Sequence, residues 1–394
     1  MPQRWPIRRL AFGELLSSIG SWAAGIVVSY YVYRRTGSAV WVAGTLFFTF
    51  GLAGFFSPLA GKIADRYDRR RVMIASDLGS AACWCALIWI REPGAVIAIA
   101  FVGSVLGLPY GLAARAAVPN LVGEGELGWA NGLMSAASSV GRLVGPALGG
   151  AIFAFVGIGA AFAMNSASFL ASAALSASIR RIPFSIGAPS EERGSSWDGF
   201  REVFREDLLI RLIVAWTISY FAMDIAFVAD PPLATSFGVG AFGYGLIDTF
   251  FGAGAAAGGL YARRVGESSE RRWVIFGLIG VAAGWALIAG APWFALVLLA
   301  SAGAAAMDAI GTVAGYGLIQ RRTDDAVRGR VFAAYTMAGM FANMIGFIIV
   351  GPLVQEFGPR AVYAVGGIMS LVAAGIFAYG RRPMLSRVSR RPTP

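Results

Sequence analysis

The residues of this sequence that are best suited to chemistry are ionisable side chains that interrupt long apolar segments. Six of them are candidates for proton coupling or substrate binding: Glu14, Arg115, Arg142, Asp224, Asp248 and Asp308. A carboxyl group in apolar surroundings can hold a proton or a cation, and such groups in membranes are usually functional. Because the sequence has no histidine, a carboxylate must carry any proton that this protein moves.

The segments that hold these side chains are long enough to cross a membrane. Of the 394 residues, 57% are hydrophobic and 14% are charged, whereas about a quarter of the residues in a soluble domain are charged. Apolar runs of roughly 20 residues, the length of a membrane span, are centred near residues 21, 50, 82, 106, 142, 169, 218, 251, 281, 305, 342 and 370. These runs exclude a soluble enzyme and predict an all-α integral membrane protein with twelve transmembrane helices.

The basic residues are concentrated on one side of the predicted helices. The net charge is +11, from 33 basic and 22 acidic residues. If both termini lie in the cytoplasm, about 28 of the basic residues fall in or beside cytoplasmic segments, as expected from the positive-inside rule. The exceptions are Arg34, Arg35, Arg91, Arg360 and the intramembrane Arg142. Membrane topology therefore accounts for the positive charge, and nucleic acid is not an expected partner.

A polar segment divides the chain into two sets of six spans. We predict an N-terminal six-helix bundle over residues 1–182, a cytoplasmic linker over 183–207, and a C-terminal six-helix bundle with a cytoplasmic tail over 208–394. The two sets are similar in sequence, because GKIADRYDRRR at 61–71 matches GLYARRVGESSERR at 259–272, and Gly145–Pro146 matches Gly351–Pro352. Pseudo-symmetric bundles of this kind are typical of secondary transporters, whose substrate site lies near mid-membrane between the repeats.

The loop after the second span carries a recognisable pattern. Gly61 suits a close approach of two helices, and we expect Asp65 to pair with the start of the eleventh span near Arg330 and so close the cytoplasmic side. The stretch resembles the loop motif of the major facilitator superfamily, G-x-x-x-D-R-x-x-R-[KR], with Asp68 where many members have glycine. The matching residues are Gly61, Asp65, Arg66, Arg69 and Arg70.

Three further stretches resemble the branch of that superfamily that includes macrolide-efflux proteins and enterobactin-type siderophore exporters. They are TGSA at 36–39, RAAVPNLVGEGELGWANGL at 115–133 and RGRVFAAYTMAG at 328–339. The resemblance covers nearly the whole chain. It implies the major facilitator fold, transport by alternating access, and a position in the cytoplasmic (inner) membrane of a bacterium, multi-pass, with both termini in the cytoplasm.

The fifth span matches the G-x8-G-x3-GP-x2-GG motif of drug/proton antiporters in the same superfamily. The matching residues are Gly132, Gly141, Gly145, Pro146, Gly149 and Gly150. Glycines spaced by four form a smooth helical face that another helix can approach closely, and the proline bends the helix. We expect this helix to be a flexible contact at the boundary between the halves, although ordinary small-residue packing would also explain the face. The motif implies export rather than uptake.

The intramembrane charges suggest specific partners. Arg142 and Asp248 lie at similar depths in spans five and eight, and we hypothesise that they pair in one conformation and part in another; a static pair, or an Arg142 that extends into a cavity, is the alternative. Asp224 and Asp308 lie deepest and are the best candidates for proton coupling. Glu14 either takes part in proton coupling or pairs with a nearby arginine. Arg115 either binds an anionic substrate or anchors its helix. Asp230, before two prolines, is expected at the outer mouth of its span.

These observations predict a transporter and not an enzyme. No phosphate-binding loop and no metal-ligand spacing occurs in the sequence, so no catalytic residue, metal or cofactor is expected, and the proton gradient is the energy source. The predicted function is export of small hydrophobic or amphipathic compounds (drugs) in exchange for protons, by a monomer in contact with membrane lipid. The alternatives are a dedicated exporter of one metabolite, such as a siderophore or lipid-like molecule, and a non-transporting membrane receptor.

Overall fold

The computed structural model describes residues 4–179, 206–323 and 325–379, and within these ranges the regular structure is helical. Among these described residues, nine helical segments are long and apolar enough to cross a membrane. The last of these segments, Val327–Ala378, is interrupted at Gly358, which has a φ of 79° and lies before Pro359. Two further helices, Arg69–Ala86 and Gly240–Tyr261, complete the set. The predicted all-α membrane fold is confirmed.

The helices are numbered here in chain order. In the N-terminal half they are α1 Trp5–Thr36, α2 Ala39–Arg66, α3 Arg69–Ala86, α4 Pro93–Leu121, α5 Leu127–Phe155 and α6 Ile158–Ser178. In the C-terminal half they are α7 Asp207–Ser236, α8 Gly240–Tyr261, α9 Glu270–Ala289, α10 Phe294–Arg322, α11 at 325–357 and α12 at 359–378. Most of the predicted linker, including the helix expected from Trp197, lies outside the described residues, so those boundaries stay a prediction.

The loops of the bundle fall at two ends. The end that holds Arg4 and the loops at 67–68, 122–126 and 262–269 is called the basic end, and the loops at 37–38, 87–92, 237–239 and 290–293 form the opposite end. At the basic end arginines bind carbonyl groups in the last two turns of helices. Arg69 donates to the Ala116 carbonyl at 2.7 Å, Arg70 donates to the carbonyls of Ser176 and Ala177, and Arg9 donates to Ser178 at 3.0 Å.

The second half repeats this arrangement. Arg271 is the second residue of α9, as Arg70 is the second residue of α3, and it donates to the Ala378 carbonyl at the end of α12 at 3.0 Å. Asp68 accepts from the Arg71 amide at 2.9 Å and so caps the start of α3. The loop motif thus ties each half together at its basic end, and Asp68 in place of glycine has a structural role.

Replacing Arg70 with alanine is expected to lower the free energy of unfolding by about 0.5–1 kcal/mol, because the last carbonyls of α6 lose a cationic partner. The matched control is Arg66→Ala on the same loop, since the Arg66 side chain is exposed. Thermal unfolding of the two purified variants measures the difference. Equal stability of the two variants would contradict the capping role of Arg70.

The two halves touch closely at the opposite end and separate towards the basic end. A Cβ added to Gly351 of α11 would lie 2.7 Å from Ala43 Cβ of α2, whereas one added to Gly51 would lie 3.4 Å from Met344 and one on Gly54 4.0 Å from Met340. A Cβ on Gly61, at the basic end of α2, would meet no atom within 4 Å. The cavity between the halves is therefore open at the basic end, and Gly61 does not provide the close helix approach that was expected.

Helix α2 changes its winding where this separation begins. A π-helical turn at Phe47–Gly51 is followed by a 3-10 turn at Leu52–Phe56, before an α-helix resumes at Ser57. Such departures inside a helix often mark functional bends. The segment Ala39–Leu46 stays packed against α11, and the Ala39 amide donates to Gln355 Oε1 at 2.8 Å. Because of this bend, the segment of α2 at the basic end separates from the C-terminal half of the protein. The segment of α2 at the opposite end remains packed against α11.

Candidate functional site

A cavity of about 260 Å³ lies between the two halves. Its walls come from α1, α2, α7 and α8, and it is lined by Ser21, Trp22, Gly25, Ile26, Ser29, Leu46, Phe50, Phe227, Tyr244 and Asp248. The rings of Trp22 and Phe50 stack at a centroid distance of 6.5 Å. A mostly apolar cavity with aromatic walls, hydroxyl groups and one carboxyl group suits a small amphipathic molecule.

Arg142 lies beside this cavity, and its guanidinium carbon lies 4.9 Å from the centre of the Trp22 ring. Such a cation–π contact holds the charge over the aromatic face. The Arg142 side chain is exposed, and the ring that it contacts lines the cavity. The predicted intramembrane cation is therefore available to a substrate or to a carboxyl group across the cavity.

Arg142 acts electrostatically on both Asp248 of α8 and Asp308 of α10. Among the described residues, however, no salt bridge joins Arg142 to either carboxyl group. The hypothesised Arg142–Asp248 pair is thus close but not formed in this conformation. Asp308 also acts on Tyr220, whose hydroxyl lies 2.7 Å from that of Tyr335. Arg142, Asp248 and Asp308 form one charged group that spans the two halves.

A second cavity, of about 450 Å³, opens inside the N-terminal half and shares Ser21, Gly25 and Phe50 with the first. Its polar lining includes the half-buried Glu14 of α1 and Tyr110 of α4. Arg115 is exposed and acts electrostatically on Glu14. The structure thus places Glu14 and Arg115 near one another, in agreement with the alternative in which Glu14 has an arginine partner.

Asp224 does not line these cavities. Its side chain is 1% exposed and packs against Gly346 of α11, where the missing side chain leaves room for the carboxyl group. Its Oδ2 atom has no hydrogen-bond partner among the described residues. In this conformation Asp224, which was predicted as one of the two best proton-coupling candidates, does not reach the cavity between the halves, because α7 turns this residue towards α11 rather than towards the other half.

Two further carboxyl groups belong to buried polar clusters. Asp230 is 3% exposed and accepts a hydrogen bond of 2.5 Å from the Tyr363 hydroxyl, and α7 continues through both following prolines to Ser236. Asp230 is therefore not at the outer mouth of its span.

Asp77 of α3 is 1% exposed, and it was not among the candidates from the sequence because it lies close to the basic loop. Its only sequence signal is an acid two turns inside an apolar helix.

The glycine face of α5 packs against α1 of the same half. A Cβ on Gly141 would lie 2.9 Å from the Ile19 amide nitrogen, one on Gly145 2.7 Å from Trp22 Cβ, and one on Gly149 2.6 Å from Ala23 Cα. Gly132 has no atom within 4 Å of such a position. The three glycines at four-residue spacing therefore hold α5 against α1, and the expectation that they form the contact between the halves is wrong.

Pro146 and Gly150 make the contact with the other half. A Cβ on Gly150 would lie 3.1 Å from the carbonyl carbon of Ala241 in α8, and one on Gly245 of α8 would lie 2.9 Å from the carbonyl carbon of Pro146. The Ala147 amide donates to Thr249 Oγ1 at 3.1 Å across the same junction. This part of the motif is at the boundary between halves, as was predicted for the motif as a whole.

The hydroxyl of Thr249 is expected to stabilise the conformation that is open at the basic end. Valine has the same shape as threonine but cannot accept the hydrogen bond from Ala147. The loss of this hydrogen bond should destabilise the open conformation by about 0.5–1.5 kcal/mol and shift the population several-fold towards the other conformation. Distances between spin labels at Trp89→Cys and Trp293→Cys, at the opposite end, measure the shift. Thr249→Ser should behave like the parent protein, and a valine variant that also does so would contradict this role.

Asp65 is exposed and makes no hydrogen bond or ion pair in the part of the chain that the structure describes. Its expected contact with the start of α11 is absent because the basic end is open here, so the contact stays a hypothesis for the closed conformation. Arg66 is also exposed. Within residues 4–179, 206–323 and 325–379, no cluster of three or more Cys, Asp or Glu side chains could hold a metal ion.

Comparisons with known proteins agree with this architecture. The sequence model of the Major Facilitator Superfamily matches residues 10–229 and 212–393. An uncharacterised MFS-type transporter, y4rN of Sinorhizobium fredii (strain NGR234), is 26% identical, with 92% of this chain and 93% of that protein covered. The enterobactin exporter EntS of Salmonella typhimurium is also 26% identical, with 94% and 90% covered.

The fold is also that of solved transporters. The crystal structure of the nucleoside transporter NupG superposes with a TM-score of 0.76 at 16% identity, over 96% of this chain and 98% of that chain. At this identity the similarity concerns the fold alone. The family match covers both halves, as the loop motif and the fifth-helix motif predicted. The chain is therefore a multi-pass membrane transporter that belongs to the Major Facilitator Superfamily.

Proposed function

We propose that this protein exports small amphipathic compounds across the cytoplasmic membrane in exchange for protons, by alternating access between its two halves. The observation that carries the proposal is the cavity between the halves, which combines aromatic walls, hydroxyl groups and the Asp248 carboxyl. The positive-inside rule puts the basic end, where the cavity opens, in the cytoplasm. A substrate made or accumulated inside the cell would then enter directly.

Three features support export driven by protons. The fifth-helix motif resembles that of drug/proton antiporters, and the similar EntS protein is named as an exporter. Carboxyl groups at membrane depth, among them Asp248 and Asp308, can exchange a proton for a substrate cation. The proposal needs no cofactor and no partner protein, and a monomer has both halves of the site.

A dedicated metabolite exporter is the second candidate, and one observation favours it. Arg142 and Arg115 are both exposed, and each lies near a residue that lines a cavity, Trp22 for Arg142 and Glu14 for Arg115. Two exposed guanidinium groups, one of them over an aromatic ring, suit an anionic or polyphenolic molecule better than a cationic dye. In that case the acidic residues would serve proton coupling only, and the substrate would be bound chiefly by the arginines.

The test is dye accumulation in an efflux-deficient bacterium that expresses this chain, with and without a protonophore. Proton-driven export of amphipathic cations requires lower ethidium accumulation than in empty-vector cells, and the protonophore must abolish the difference. Asp248→Asn should weaken the export at equal protein level. If ethidium accumulates as in the empty vector while the protein is present in the membrane, the proposal fails for cationic compounds, and the metabolite exporter takes its place.

A further inference from the structure

The N-terminal half contains a buried polar cluster that is distinct from the cavity between the halves. It brings together Glu14 of α1, Asp77 of α3, Tyr110 of α4 and Ser172 of α6, so each of four helices contributes one side chain. The Ser172 hydroxyl donates to the Tyr110 hydroxyl oxygen at 3.4 Å and also lies beside the Asp77 carboxyl. Glu14 and Asp77 both act electrostatically on Tyr110. The four groups therefore behave as one unit.

Asp77 is the deepest member of this cluster. Its side chain is 1% exposed, and its Oδ2 atom has no hydrogen-bond partner among the described residues. The groups that face it are Glu14 from α1, Tyr110 from α4 and Ser172 from α6, and none of them carries a positive charge. A buried carboxylate that has an unsatisfied oxygen and no cation is costly, unless it binds a proton.

The second carboxyl group adds to this effect. Asp77 and Glu14 act electrostatically on each other across the cluster. Two carboxylates that share an apolar site do not both ionise, because like charges repel strongly where water is excluded, and they titrate as a coupled pair. Among the described residues, the cation that acts on the pair is Arg115, which acts on Glu14 rather than on Asp77. Asp77, which is buried with an unsatisfied oxygen and has no cation beside it, is therefore the better placed of the two to hold the proton.

The cluster has a path to water. Glu14 and Tyr110 line the cavity of about 450 Å³, which joins the cavity between the halves through Ser21, Gly25 and Phe50. Asp77 does not line this cavity, and the Ser172 hydroxyl beside it donates to Tyr110, which does. A proton from the cavity would thus reach Glu14 first and Asp77 second, and one bound proton changes the charge of the pair from −2 to −1.

We propose that Glu14 and Asp77, with the hydroxyl groups of Tyr110 and Ser172 beside them, form a proton-binding site in the N-terminal half, in which the two carboxyl groups share one exchangeable proton. The role of this site in transport rests on the proposed proton-coupled export, but the bound proton itself does not. The site is separate from Asp224 and Asp308, which lie in the other half.

Infrared difference spectroscopy of the purified protein tests the site without any substrate. The spectrum of the parent protein minus that of Asp77→Asn at neutral pH should contain the carbonyl band of one protonated carboxyl group, and the band should shift in deuterated water if the proton exchanges. Glu14→Gln should move this band, because the partner's charge is removed. Asp68→Asn, the same change at the half-exposed cap of the same helix, should give no such band.

The outcomes separate this inference from the proposed function. If Asp77→Asn removes no carboxyl band, although circular dichroism and size-exclusion chromatography show a folded protein, the proton site is overturned whatever the transport result. If the band is lost, but the parent protein exports no ethidium, the proton site stands and the proposed substrate class fails. Both proposals are supported if Asp77→Asn removes the band, the parent protein exports ethidium only with a proton gradient, and export by the Asp77→Asn variant no longer depends on that gradient.

Discussion

Replacing Gly149 with alanine is expected to disrupt the protein severely. The added Cβ would lie 2.6 Å from Ala23 Cα and 2.8 Å from the Ala23 carbonyl carbon, and both are backbone atoms of α1 that cannot rotate away. Overpacking of this kind costs about 1–3 kcal/mol or more when the neighbour is rigid. The α1–α5 interface would have to widen, and the walls of both cavities include residues of α1. We expect a lower unfolding temperature and little or no dye export.

Gly132→Ala is the matched control, because it makes the same change in the same motif and the same helix. A Cβ there would meet nothing within 4 Å, and alanine favours a helix over glycine by roughly 0.5–1 kcal/mol. This variant should be at least as stable as the parent protein. If Gly149→Ala and Gly132→Ala have the same unfolding temperature, the proposed function of the glycine face in packing α5 against α1 is wrong.

Neutralising Arg142 is expected to abolish transport while the fold survives. In Arg142→Gln, the Asp248 and Asp308 carboxyl groups lose the one cation that acts on both of them. The charge that could bind an anion or alternate between the two carboxyl groups is then gone. We expect export to fall about tenfold or more, which corresponds to about 1.4 kcal/mol or more. Export assays in cells, normalised to the amount of protein in the membrane, measure this loss.

A charge exchange tests whether Arg142 and Asp248 pair directly in another conformation. Arg142→Asp and Asp248→Arg should each be inactive, because each leaves two like charges near mid-membrane. The double variant restores one opposite-charge pair and should recover part of the transport. If the double variant is as inactive as the single ones, although all three are folded, direct pairing is not part of the cycle, and Arg142 acts through the Trp22 contact instead.

The sequence predicts the helical fold well because apolar spans and basic loops have simple physical causes. A span must satisfy its backbone hydrogen bonds internally, so its length and hydropathy are visible in the sequence. The side of the membrane on which the arginines lie was predictable from the positive-inside rule, but the groups that they bind were not. That Arg70 binds the end of α6 depends on how α3 and α6 pack, which no local pattern specifies.

The candidate site was only partly predictable because depth in a span does not fix the direction of a side chain. Asp224 and Asp308 have similar depths, yet Asp224 faces Gly346 in its own half while Asp308 acts on Arg142 of the other half. Asp77 was missed because it lies near the basic loop, and only the packing of α1, α4 and α6 around it shows that it is buried. The glycine motif was found, but its partner helix was assigned wrongly.

The most direct test of alternating access is a pair of spin-label distances measured by double electron–electron resonance. Gly61→Cys and Gly329→Cys place labels on α2 and α11 at the basic end, where added side chains meet no atom within 4 Å; Cys83 and Cys85 are replaced by serine. We expect a long and a short distance, whose populations change with pH, and loss of the short one in Asp65→Asn. A single distance under all conditions and in both proteins would contradict alternating access.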